Sequence, residues 1–179
     1  MSIPIFILGS LAEQNNYAYS IYKGAAETLA IVQVSGLTES KLYYHFEALH
    51  KRGYVETVEV LKDPRRPEKT MYQITDAGRL ELEKKIYTIF KQSTDVGELY
   101  SALIFIKHVD IDEVLSIFGA NIEKQKMRWT PSLKDKVPQE VLNKNKHLPF
   151  IADHATSYID FRIEWLERLF TYIKSLQSE

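Results

Sequence analysis

Cysteine is absent from the 179 residues, which excludes a disulfide framework and thiolate metal sites and fits a reducing cytoplasm. Glycine is scarce, seven in all, and no phosphate-binding glycine motif appears. An excess of charge of either sign is missing too: 23 Lys and Arg against 24 Asp and Glu leave a formal net charge of -1. Without a global positive field, attraction to a polyanion must come from local patches. Any nucleic-acid binding should therefore be weak on non-specific sequence, steep in salt, and dependent on two copies of the site. No apolar run approaches the roughly 20 residues that span a bilayer, so no membrane partner is expected. The apolar opening, Ile3-Pro-Ile-Phe-Ile-Leu-Gly-Ser-Leu11, lacks a basic leader and reads as a core helix, not a signal peptide.

Catalytic constellations are also lacking. None of the five histidines (His45, His50, His108, His147, His154) forms the His-x-x-x-His pair that brings two imidazoles to one metal. Asp110, Asp112 and Glu113 are more cheaply explained by a helix start than by acid chemistry, and no serine or lysine has an evident base partner. No enzyme, metal or cofactor is expected. Trp129, Trp165 and the tyrosines could line a pocket for a flat aromatic ligand, although such residues more often form core or interface.

What is present is ordinary globular composition, 45% hydrophobic and 26% charged, long enough for one large domain or two small ones. The chain is organised around Ser35–Tyr54. Thr38 is placed to cap a helix that Gly53 stops. On a helical wheel Leu42, Phe46 and Leu49 share one face; Ser40, Tyr44, Glu47 and Lys51 lie opposite, with Lys41 and Tyr43 on the shoulders. Such a helix, anchored by three apolar residues and polar outward, suits a DNA major groove.

Before it, Ile5, Leu8 and Leu11 mark a first helix with Pro4 in its first turn. After a polar break at Glu13–Asn16, Asn16 is placed to cap a second helix carrying Tyr17, Ile21, Tyr22, Ala25 and Leu29. Ala30–Leu37 is a brief strand or an extended connection. After the central helix, Tyr54–Leu61 and Thr70–Thr75 read as strands joined by a two-proline turn, Lys62–Glu68, that carries Arg65 and Arg66. Three helices and then a hairpin is the order of a winged helix-turn-helix.

Thr75 is placed to cap a helix striped by Leu82, Ile86, Ile89 and Phe90, broken between Gln92 and Gly97. Leu99, Leu103 and Ile106 mark the next. Asp110-Ile-Asp-Glu113 has capping-box spacing, with Val109 and Val114 as a hydrophobic staple, before Ile111, Leu115, Phe118 and Ile122. Thr130–Pro149 is loop with room for one short helix. The final helix, Ile151–Leu176, has two apolar stripes. Tyr158, Trp165, Leu169 and Leu176 form one; Ile159, Ile163, Leu166, Phe170 and Ile173 form the other. A helix this broadly apolar needs cover on two sides, from its own bundle or from a second copy.

Ile7-Leu-Gly-Ser-Leu-Ala12, Ser40-Lys-Leu-Tyr43, Leu49-His-Lys-Arg-Gly-Tyr-Val55 and Tyr72-Gln-Ile-Thr-Asp-Ala-Gly-Arg79 together resemble the PadR family of bacterial transcriptional regulators. They span the winged-helix half in the right order; beyond Gly97 the likeness is to the layout of the larger members. Asn16, Tyr44 and the missing tryptophan between Ala30 and Ser35 depart from the family pattern. The resemblance implies a mainly α fold with a small β-hairpin wing, in which 1–92 is the winged helix-turn-helix DNA-binding domain with its linking helix and 93–179 an α-helical dimerisation domain. It implies a cytoplasmic homodimer that binds a palindromic operator on double-stranded DNA and usually represses, with a small aromatic or phenolic effector in some members. On this reading Ser40, Lys41 and Tyr44 face base edges, and Glu47 accepts from cytosine or orients a lysine. Tyr43 and Lys51 touch phosphates, and Arg65 and Arg66 meet backbone or minor groove. A MarR-like regulator, or a winged-helix protein–protein adaptor, is the alternative.

Overall fold

The structure is a computed structural model describing residues 2–27, 37–63, 66–129, 138, 140–141 and 145–178, with side chains for all of these except 61–63, 66–69 and 178. In chain order the elements are α1 (Ile3–Glu13), β1 (Asn16–Tyr17), α2 (Ala18–Glu27), α3 (Glu39–Lys51), β2 (Val55–Asp63), β3 (Arg66–Ile74), α4 (Asp76–Gln92) and α5 (Val96–Ile104). A 3-10 turn (Ile106–His108), α6 (Ile111–Trp129), α7 (Leu148–Ser175) and a closing 3-10 turn (Leu176–Ser178) follow. Two compact units interleave along the chain: Met1–Ile89 with Gly97–Asp110, and Phe90–Val96 with Ile111–Glu179.

In the first unit α1 is buried on more than the expected face, because Phe6 and Ile7 are covered along with Ile5, Leu8 and Leu11. The extra cover comes from the segment after α5. The Phe105 ring sits 5.9 Å from that of Phe6 and occupies the space a Cβ on Gly9 would need, so only glycine permits this approach. The Ser2 N–H donates to Ser101 Oγ (3.1 Å), and at the other end of α1 the Glu13 carboxylate takes Lys107 Nζ (2.5 Å) and bonds His108 Nε2 (2.7 Å). These bonds to Lys107 and then to His108 hold the Glu13 carboxyl below its usual range.

The expected Asn16 helix cap is corrected. Asn16 and Tyr17 form a short strand, antiparallel to β3 at Tyr72 and Met71, and α2 begins only at Ala18. The Asn16 side-chain oxygen accepts from the Tyr17 N–H (2.8 Å), so local side-chain bonding serves a strand here. The sheet is three-stranded, in the order β1-β3-β2. The hairpin also runs further than the sequence suggested: β2 reaches Asp63 and β3 starts at Arg66, with irregularities after Thr57 and Leu61. Pro67 thus lies within a strand. Leu29, most of the Ala30–Leu37 connection and most of Thr130–Pro149 lie outside the described residues.

In the second unit, the end of α4 packs with α6 and α7 around Phe118. Its ring stands 5.2 Å from Phe90 and 6.2 Å from Phe170, with Val114, Ile122, Leu166, Leu169 and Ile173 buried around it. The buried stripe of α6 is Val114, Phe118, Ile122, together with Asn121 and Gln125; Ile111 and Leu115, expected on it, are only half-buried. Asn121 and Gln125 are buried because they form a polar layer. Asn121 Nδ2 donates to the Phe90 and Ser93 carbonyls (3.0 and 2.7 Å), groups left open where α4 ends, and Gln125 Nε2 donates to Asn121 Oδ1 (3.2 Å). The α6 start falls where the Asp110 motif put it, and the Asp110 N–H donates to the Tyr87 hydroxyl (3.0 Å).

Candidate nucleic-acid interface

The central helix is fixed at both ends by backbone chemistry. Thr38, extended at φ -119°, ψ 156°, accepts the Lys41 N–H on its hydroxyl (3.3 Å). At the other end Gly53 has φ +73°, its N–H donates to the His50 carbonyl (2.9 Å), and the Tyr54 N–H reaches back to Leu49 (3.0 Å). That 6→1 and 5→2 pair is a Schellman stop, which favours glycine because L-residues rarely adopt this φ. Leu42, Phe46 and Leu49 are buried as their spacing requires, and Phe46 packs on Tyr72 of β3 at 5.0 Å.

Thr75 locks helix to wing. Its hydroxyl donates to the Gly53 carbonyl (2.7 Å) and accepts the Gly78 N–H (3.0 Å), while its own N–H donates to the Tyr54 carbonyl (3.1 Å). A Cβ on Gly78 would stand 2.0 Å from that Tyr54 oxygen, so the Thr-Asp-Ala-Gly spacing is a packing requirement as well as a cap. These bonds tie the end of α3, the start of α4 and the strand before it into one rigid corner.

On the face this corner presents, Ser40, Lys41, Tyr43, Tyr44, Glu47 and Lys51 are all exposed, Tyr44 at 70%. The structure brings these residues together on one side of α3. Arg65 lies outside the described residues, as does the Arg66 side chain, whose backbone opens β3. The sequence reading passed over two neighbours. Tyr19 of α2 is 55% exposed and close enough to Tyr43 to act on its phenol, and the His50 ring meets Tyr72 edge-on at 6.2 Å. Only an exposed aromatic in the preceding helix could have pointed to Tyr19, a weak signal alone.

Two titrating groups define what this face offers. Burial, and then Glu39, Tyr72 and Tyr19, raise the Tyr43 phenol above its ordinary value, so it stays protonated and can donate. His45 is half-buried; desolvation, and then the Lys85 charge, lower its imidazole, which is neutral at pH 7 and adds no cation to the face.

Elsewhere in the first unit an open cavity of about 400 Å³ is bordered by Asp76, Glu83, Arg79, His108 and leucines. Neither tryptophan borders it: Trp129 lies under the Arg128 guanidinium (5.1 Å) and Trp165 under that of Arg168 (5.0 Å). Among the described residues no group of three His, Asp or Glu could hold a metal, and no helix is long and apolar enough to cross a membrane.

A capped helix with an outward polar stripe, locked to an antiparallel hairpin, defines a winged helix-turn-helix. Residues 7–84 match the model of the transcriptional regulator PadR-like family. Over this segment, somewhat under half of the chain, the protein is similar to the PadR-like transcriptional regulators. Among solved structures it is similar to Bacillus subtilis PadR in complex with operator DNA, at 21% identity over 95% of this chain and 98% of that one, with a TM-score of 0.42. It is also similar to the smu.1604c protein of Streptococcus mutans, at 20% identity over 100% of both chains with a TM-score of 0.43. A third similarity is to the PadR-like regulator BC1756 of Bacillus cereus, at 17% identity over 95% and 94% with a TM-score of 0.40. No curated protein matches this chain.

Proposed function

We propose that this chain is a PadR-like DNA-binding transcriptional regulator, a cytoplasmic homodimer that sits on a two-fold operator and represses, and that a small aromatic or phenolic effector releases it. The observation that carries the reading is the presence, in one chain, of two uncovered stripes of different chemistry. One is the polar stripe of α3. The other runs down α7 through Ile151, His154, Tyr158, Phe161, Trp165, Arg168 and Tyr172, at alternating steps of three and four residues. That is the 3.5-residue spacing of a coiled-coil seam. Tyr158 (49%), Phe161 (56%), Trp165 (42%) and Tyr172 (53%) are all exposed, and a contiguous aromatic surface of this kind marks a protein contact.

In this reading 1–92 reads DNA and 93–179 pairs the copies. Ser40, Lys41 and Tyr44 face base edges, Tyr43 and Lys51 hold phosphates, and Arg65 and Arg66 reach the flanking backbone or minor groove. Paired recognition helices about 34 Å apart meet successive major grooves on one side of the duplex. An effector that alters the pairing of α7 changes that spacing, and hence affinity, without touching the reading residues. The aromatic seam offers such a molecule its stacking partners.

Fluorescence anisotropy with DNA from upstream of the protein's own gene, against a scrambled duplex at two salt concentrations, tests this. The reading expects specific, salt-sensitive binding by two chains per duplex, weakened when a phenolic acid is titrated in. Equal and feeble binding to both duplexes, also with genomic fragments selected by the protein, would leave the winged helix as a surface for another protein, which the net charge of -1 favours.

A further inference from the structure

The outermost face of α3 is a single stripe, Ser40, Tyr44, Glu47 and Lys51, within about 60° of arc at 100° per residue and opposite the buried Leu42, Phe46 and Leu49. A carboxylate stands in the middle of it. Among the described residues Glu47 has no ion-pair or hydrogen-bond partner. Nearby acids have other duties. Glu39 occupies the first turn of α3, where the helix dipole favours a negative charge, and acts on Tyr43; Glu56 accepts from Gln73 Nε2 (2.5 Å).

A bare carboxylate at this position weakens binding to every duplex, because the phosphates along both walls of a major groove repel it. The loss is recovered only where a base edge offers a donor with no acceptor beside it. Guanine presents N7 and O6, both acceptors. Thymine presents O4, an acceptor, and a methyl group. Adenine sets its N6 amino group next to the N7 acceptor, which turns away the second carboxylate oxygen. Cytosine alone offers an amino group, N4, with no neighbouring acceptor. Tyr44 and Ser40, whose hydroxyls both donate and accept, discriminate less, and Lys51 ends in a flexible cation suited to phosphate.

We infer that Glu47 is a base-reading residue that selects cytosine at one base pair of each half-site. The inference rests on the proposed reading of DNA by α3 and deepens it: a residue of the wrong sign for affinity contributes sequence discrimination.

Selection of bound duplexes from a randomised library tests it, using the full chain, Glu47→Ala and Glu47→Gln. Both variants sit at an exposed position and leave the buried face of α3 unchanged. The parent should enrich a motif with cytosine fixed at one symmetric position, and replacing that base pair should weaken binding about tenfold. Glu47→Ala should make that position degenerate and leave the others as they were. Glu47→Gln, able to match adenine N6 and N7 together, should move the preference there from cytosine to adenine. An identical motif for Glu47→Ala, with tighter binding to all sequences alike, would reduce Glu47 to phosphate repulsion and overturn the inference. A change spread over every position would mean that α3 had shifted, and overturns it too. Should the parent enrich no motif at all, the DNA-reading role of α3 itself falls.

Discussion

The two compact units hold together by different means. The winged-helix unit depends on backbone groups meeting at set points: the Thr38 cap, the positive φ of Gly53, the double use of the Thr75 hydroxyl, and the Gly78 contact with the Tyr54 carbonyl. The helical unit depends on side-chain volume around Phe118, with one amide layer at Asn121, and leaves a row of aromatics on α7 uncovered. A unit that must present one helix at a fixed angle gains from hydrogen-bonded corners. A unit proposed to pair with a copy needs only a packed body and an open stripe.

Substitutions can set the two regimes against each other. The largest effect is expected from Phe118→Ala, which removes the ring between Phe90 and Phe170 and should destabilise the helical unit by about 3–5 kcal/mol in denaturant unfolding. Gly78→Ala should cost the winged unit about 3 kcal/mol, because its Cβ meets a backbone carbonyl that cannot turn aside. If the two units unfold separately, these variants should each shift a different transition; a common shift would mean that the units share one cooperative unfolding.

Asn121→Leu comes next. It keeps volume but leaves the Phe90 and Ser93 carbonyls without their amide donor, at a cost of about 2 kcal/mol in the same measurement. An unchanged midpoint would mean that water replaces the amide.

Most of the winged unit was legible in the sequence because its controlling residues are of special types. Thr38, Gly53, Thr75 and Gly78 each belong to a short list that a cap, a left-handed turn or a close approach accepts. The wing runs past its sequence signal because Pro64 and Pro67 are turn-forming types, and β1 carries no signal because a two-residue strand has no period of its own. In the helical unit periodicity gave the elements but not always the buried side. Asn121 and Gln125 look like surface residues until the carbonyls they serve are in view, and the two stripes of α7 were equally apolar. Of the interface, the exposed side of α3 was readable from its wheel. The environments of Tyr43 and His45 were not, because Tyr19, Tyr72 and Lys85 are distant in sequence.

Smaller effects belong to the exposed side of α3, proposed to face DNA. Lys51→Ala should weaken binding to all sequences alike and lower the slope of log affinity against log salt by about one per copy. Equal slopes for variant and parent would remove Lys51 from the phosphate contacts. The smallest effect concerns pH. With its folded-state pKa below 6.5, His45 takes up a proton less readily folded than unfolded. Its contribution to stability is therefore full above pH 6.5 and is lost as the pH falls toward the folded-state value. Urea midpoints at about pH 7.5 and 5.5 should differ more for the parent than for His45→Gln. An unchanged difference would assign the pH dependence to other groups.

The central claim is that the α7 stripe is covered by a second copy of the chain. Sedimentation equilibrium of the full chain and of Trp165→Glu, which buries a charge in the seam, tests it most directly. The account predicts a parent of twice the 20.8 kDa chain mass, and a variant of single mass with its helical circular dichroism intact. A monomeric parent, or a variant that stays paired, would contradict it.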